Sequence, residues 1–180
     1  MYIVERGIHM KKVLVFLAII MIIIISNKEE NIIIPESSIR FRVIANSNTL
    51  EDQTTKNKIS KNLSSFVSNL IKETSSKEEA TKVLNENYNT IDKYLKEYLN
   101  NNNLNLNYDL NIGKNYFEKK NYKGINYDAG YYDSLVLSLG NKQGVNWWCV
   151  MYPPLCLIDE DTEDVKYTTL VQDMLDKYKF

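Results

Sequence analysis

The chain is predicted to be an α+β sandwich: two helices packed on one face of a largely antiparallel sheet, behind an N-terminal signal or anchor segment. Three observations predict it. Two stretches of helical period follow each other between residues 50 and 100. Segments of period two precede and follow them, and turn-forming residues separate the later ones. The resulting order, β-α-α-β-β-β, places both helices on one side of the sheet.

Ahead of this domain, Val13 to Ile25 is an unbroken apolar run preceded by Arg6, Lys11 and Lys12. A basic stretch followed by roughly 7–15 apolar residues is the layout of a secretory signal. The run is short for a spanning helix, which needs about 20 apolar residues. Ser26 to Glu30 holds no small-x-small cleavage site, so an uncleaved signal-anchor through residues 13–25 fits as well as a cleaved peptide. The basic flank places everything after Ile25 outside the cytoplasm. The expected divisions are a signal peptide or signal-anchor over residues 1–28, a linker over 29–38, a folded domain over 39–158, and an acidic, weakly amphipathic tail over 159–180.

Within the domain, Ile39 to Ala45 alternates as a strand. Asn48 with Glu51 predicts a helix start, and Ile59, Leu63, Phe66, Val67, Leu70 and Ile71 share one face of that helix. Ser76 with Glu79 predicts the start of a second, whose apolar positions run from Ala80 to Leu99. The lysines and glutamates between these stripes read as solvated. Leu104, Leu106, Tyr108, Leu110 and Ile112 alternate with polar residues as a half-buried strand. Gly113 to Gly130 reads as a long loop or irregular hairpin. Tyr131 to Leu139 is the next strand, with Leu135, Leu137 and Leu139 inward and Ser134 and Ser138 outward. Gly140 to Gly144 reads as a hairpin turn into a last strand, Val145 to Met151.

Several chemistries are disfavoured at once. The net charge of −1 gives no basic field to hold a phosphate backbone, so nucleic acid is not an expected partner. The single histidine, His9, precedes the apolar run, which removes Ser-His-Asp and Cys-His nucleophiles and most catalytic zinc sites from the domain. Cofactors and metals are not expected, and no spacing singles out a catalytic pair of carboxylates. The distinctive stretch is Asn146 to Cys156, which holds both tryptophans, both cysteines and two of the three prolines. Adjacent strand residues point to opposite faces, so one of Trp147 and Trp148 enters the helix-covered core. The other lies on the far face, either exposed as a binding hot spot or buried beneath residues 113–130. Cys149 and Cys156 are either a disulfide, stabilising by about 2–3 kcal/mol, or two buried thiols. The bonds before Pro153 and Pro154 allow either isomer.

Three segments resemble the stage II sporulation protein R family. They are Ile39 to Asn48 followed by Glu51-Asp52-Gln53; Ala129-Gly130-Tyr131-Tyr132; and Asn146-Trp147-Trp148-Cys149-Val150 with Pro153-Pro154-Leu155-Cys156. The likeness runs from about Ile39 to Asp159, and the last segment is the most specific. Arg42, Asn48 and Asp128 depart from the family pattern, which has His, Asp and Pro there. The resemblance implies a signalling protein exported across the forespore membrane into the intermembrane space, either secreted or signal-anchored. There it would trigger a membrane-embedded aspartic protease of the mother cell that removes the pro-sequence of sigma-E. On this reading the chain is an activator and not an enzyme. Trp147, Trp148, Tyr152, Pro153, Pro154 and Asn46 are the candidate contacts, supported by Cys149 and Cys156. The alternatives are an exported cell-wall hydrolase working with carboxylates and a structural protein of the intermembrane space.

Overall fold

The structure, a computed structural model, describes residues 14–17, 19–21, 32–158 and 162–178. Two units separate at residue 31. In the first, residues 14–17 and 19–21 are helical. The rest of the expected export segment lies outside the described residues. Among those described, no helix is long and apolar enough to cross a membrane.

The second unit, Ile32–Phe180, holds the α+β fold. Its elements are β1 (Ile32–Ile33), β2 (Ile39–Ile44), α1 (Leu50–Ile71), α2 (Lys77–Glu86), α3 (Tyr88–Asn101), β3 (Tyr108–Phe117), β4 (Lys120–Tyr122), β5 (Ile125–Tyr127), β6 (Gly130–Leu139), β7 (Asn146–Tyr152) and α4 (Asp164–Lys177). The main sheet has the order β3-β6-β2-β7. β2 runs parallel to β6 and antiparallel to β7, and β3 runs antiparallel to β6. A smaller sheet has the order β1-β5-β4.

Alternation gives the main sheet two different faces. Phe41, Val43, Leu135, Leu137 and Met151 join Ile59, Leu63, Val67, Leu84, Ile91 and Leu95 of the helices in one buried cluster. The face opposite packs on a second cluster, in which Val150 meets Ile32, Ile34, Ile125, Tyr127, Tyr167, Val171 and Leu175. The stretch expected as a linker therefore contributes β1 and Ile34. The stretch expected as a tail contributes α4, which buries Tyr167, Val171 and Leu175 one turn apart. Residues 159–161 of the acidic run lie outside the described residues.

Several local expectations are corrected. Gly140 to Gly144 is not a hairpin turn, because β2 lies between β6 and β7. The segment instead crosses the end of β2, where Gly144 N–H donates to Ala45 C=O at 2.9 Å and Gln143 N–H to Asn46 C=O at 3.2 Å. A Cβ on Gly144 would strike the Ser47 carbonyl oxygen, so the close crossing requires glycine. Thr49, not Asn48, caps α1: its hydroxyl accepts from Asp52 N–H at 3.2 Å. Asn48 Oδ1 is occupied by Val145 N–H at 2.7 Å. The second helix breaks at Asn87, whose side-chain amide donates to the Val83 carbonyl at 2.9 Å while its backbone leaves helical geometry. β3 starts at Tyr108, opposite Leu139 at the end of β6, so residues 104–107 have no strand to pair with. Lys56 is not solvated: it is buried in α1, with Nζ donating to Gln53 Oε1 at 2.7 Å and Val145 C=O at 3.2 Å.

Candidate functional site

β7 ends the main sheet, and alternation along it divides the distinctive sequence between the two faces. Trp147 packs edge-on against Phe41 on the helix side, with ring centroids 5.6 Å apart. Trp148 points the other way. Its ring lies 5.6 Å from Phe117 and 5.3 Å from Tyr127, and Lys120 Nζ stands 5.1 Å from its centroid. The far-face ring is therefore neither fully exposed nor fully buried. The 113–130 segment covers the ring with Phe117 and Tyr127, yet Trp148 remains half-buried.

Beneath Trp148 lies Arg40, which is 0% exposed. Its guanidinium carbon stands 3.5 Å from the Tyr132 ring centroid, 5.5 Å from those of Phe117 and Trp148, and 5.8 Å from that of Tyr127. None of its side-chain nitrogens has a hydrogen-bond partner. Burial lowers its pKa, and the neighbouring tyrosines oppose that shift. An arginine stays charged under any such shift, so the four rings, with the charge of Asp128 acting from farther off, are what the cation has in place of water. Arg42, two residues on and facing the same side, donates from Nη1 to the Tyr116 carbonyl at 3.0 Å and stands 4.6 Å from the Phe117 centroid. Burial lowers its pKa as well.

Two cavities open beside Trp148. One, of about 150 Å³, is lined by five consecutive residues of β7, Asn146 to Val150, together with Lys120, Tyr122, Tyr127, Leu155, Ile158 and Tyr167 among others. The second, of about 370 Å³, is lined by Arg42, Tyr116, Phe117, Glu118, Lys119, Lys120, Asn146 and Trp148. Lys120, Asn146 and Trp148 belong to both.

The other candidate residues lie elsewhere. Tyr152 is 2% exposed, and Pro153 and Pro154 are buried, so none of the three lies at the surface. A bulge explains Tyr152: Ile39 pairs with Tyr152 while Arg40 pairs with Val150, which turns Met151 and Tyr152 both into the helix-side core. The Tyr152–Pro153 bond is cis. Cys149 and Cys156 form a disulfide with Cα atoms 5.3 Å apart, which ties β7 to the 3-10 turn at Leu155–Leu157. Asn46 is engaged internally. Its amide donates to Asp52 Oδ2 at 2.9 Å, and its oxygen accepts from Asn141 N–H at 2.9 Å.

The carboxylates with shifted pKa values all move downward. The Ser47 hydroxyl and then the Asn46 amide hold Asp52 low, Ser75 holds Glu79 low, and Lys96 with Tyr108 holds Asp92 low. A general acid needs the opposite shift. Among the described residues, no group of three or more His, Cys, Asp or Glu side chains could hold a metal ion. Arg40, Phe117, Lys120 and Tyr127 were not singled out by sequence. The available signal was an arginine at alternate strand positions combined with the aromatic density of residues 116–132.

The family model for stage II sporulation protein R matches residues 35–162, which include all of the main sheet, the disulfide and Trp148. Stage II sporulation protein R of Bacillus subtilis (strain 168) is 35% identical over 136 residues, covering 74% of this chain and 61% of the relative. The chain thus spans less than two thirds of that relative's length. No solved structure matches it. With the family model covering well over half its length, the chain belongs to the stage II sporulation protein R family, a family of sporulation proteins.

Proposed function

We propose that this chain is an exported signalling protein of sporulation that activates a membrane-embedded aspartic protease of the mother cell, which then removes the pro-sequence of sigma-E. The observation that carries this reading is the half-buried Trp148 at the end strand of the sheet, within the family-matched segment. A large ring backed by Phe117 and Tyr127 and left open on one side is the kind of anchor that interfaces use. The basic flank and apolar run before residue 26 support export into the intermembrane space. Activation needs no chemistry from this chain. The domain has only to bind the active arrangement of the protease more tightly than the resting one. Moving a partner from 1% to 99% active takes a preference of about 5.5 kcal/mol.

The test is reconstitution in a non-sporulating host that makes this chain, the membrane protease and the sigma-factor precursor. The expected result is a shortened precursor only when this chain is present with its export segment. An unshortened precursor, with all three proteins made and this chain outside the membrane, would refute activation.

A further inference from the structure

The 150 Å³ cavity has an informative lining. Successive residues of a strand point to opposite faces, so a cavity lying over one face touches alternate residues. This one touches Asn146, Trp147, Trp148, Cys149 and Val150 in unbroken succession. It therefore runs along the backbone edge of β7, and that edge is the outer one, since β2 occupies the other. In an antiparallel pair about half the N–H and C=O groups of an end strand point away from its neighbour.

The surroundings are cationic. Arg42, Lys119 and Lys120 line the adjoining cavity against one acid, Glu118, in a chain whose net charge is −1. Lys119 has an ion pair with Asp128 at 3.8 Å. Lys120 is exposed and has no acidic partner among the described residues, only the rings of Trp148 and Tyr122.

We propose that the outer edge of β7 receives an extended segment of the partner protein as a fifth strand, with an acidic side chain of that segment set between Lys120 and Arg42. Backbone pairing supplies affinity, and the carboxylate meeting Lys120 beside Trp148 supplies register. Cys156 Sγ lies 3.0 Å from the Val150 carbonyl and closes that end, so the open span from Asn146 to Cys149 admits about four residues of partner, roughly 13 Å of strand. The identity of the partner rests on the function proposed above; the geometry of the edge does not.

The test has two arms, both on the full chain. In the reconstituted host, Lys120→Glu should lower precursor processing about tenfold while Lys120→Arg keeps it. With the purified protease added, hydrogen exchange at Asn146 to Cys149 should slow. Processing by wild type that Lys120→Glu leaves unchanged, or exchange at β7 that the protease leaves unchanged, would overturn the strand addition and leave the activator function standing. If wild type gives no processing, the second arm is run with peptides in place of the protease: an acetylated, amidated octapeptide alternating valine and glutamate, its lysine counterpart, and a version with alternate amides N-methylated. Shifts of the β7 amides with the glutamate peptide alone uphold the inference, and equal or absent shifts with all three overturn it. Slowed exchange that depends on the concentration of this chain alone would assign the edge to a second copy and also overturn it.

Discussion

The two faces of the main sheet are made from the same strands and are built on opposite principles. Toward the helices, Phe41, Val43, Leu135, Leu137 and Met151 form a dry cluster closed by the long α1 and by α2 and α3. On the other side, the alternate positions carry Arg40, Arg42, Ser134 and Trp148. Their cover is three short strands and one helix. The first face is what apolar burial alone would choose. The second holds a cation without hydrogen bonds and a tryptophan that is only half covered, an arrangement that stability alone does not select. Such departures from local rules concentrate where a surface has another task.

Mutations can break or sharpen this contrast. The largest effect is expected at Phe41→Ala, which opens a cavity in the helix-side core and should cost about 3–5 kcal/mol in urea denaturation. A loss below about 1 kcal/mol would erase the claimed difference between the faces. Replacing Cys149 and Cys156 together with serine should cost about 2–3 kcal/mol, and reduction of the native chain should lower its stability in urea by the same amount. Asn46→Ala removes the acceptor for Asn141 N–H and should cost about 1 kcal/mol, read in the same denaturation.

A pH titration of stability adds a signed test. The carboxyls of Asp52 and Asp92 are held below their ordinary value in the folded state. Their contribution is present above the unfolded value of about 3.9 and is lost as pH falls toward the folded one. Stability should therefore decline below about pH 5, less steeply in Asp92→Asn. The smallest effect is expected at Arg40→Met, which swaps the caged cation for an apolar chain and should leave stability within about 1 kcal/mol of wild type or raise it. A loss of several kcal/mol would mean that the four rings bind the guanidinium strongly enough to make Arg40 a main stabiliser of its face.

The fold was legible where periodicity is long. The helix-side stripe from Ile59 to Ile71 and the alternation of Leu135, Leu137 and Leu139 each fix a face by repetition. What escaped was set by contacts far apart in sequence. β1 is two residues long and gains its place only by pairing with β5. Gly140 to Gly144 carries every local mark of a hairpin, and nothing local reveals that β2 comes between. For the site, alternation separated Trp147 from Trp148, but burial of Tyr152 depends on a bulge that no residue type announces. Arg40 was read past because an arginine at an outward strand position normally meets water.

The central place of β2 also sets a schedule. It is the first strand of its sheet to leave the ribosome, and its neighbours are the last. Arg40 must wait for Ser134, and Phe41 for Cys149. Until Tyr152 follows, the sheet lacks its middle partnership, and the helices have no finished surface to rest on. Such long-range closure is slow. For the export proposed above, that delay would keep the chain pliable while it is in transit and let it become rigid only when the last strand has come through.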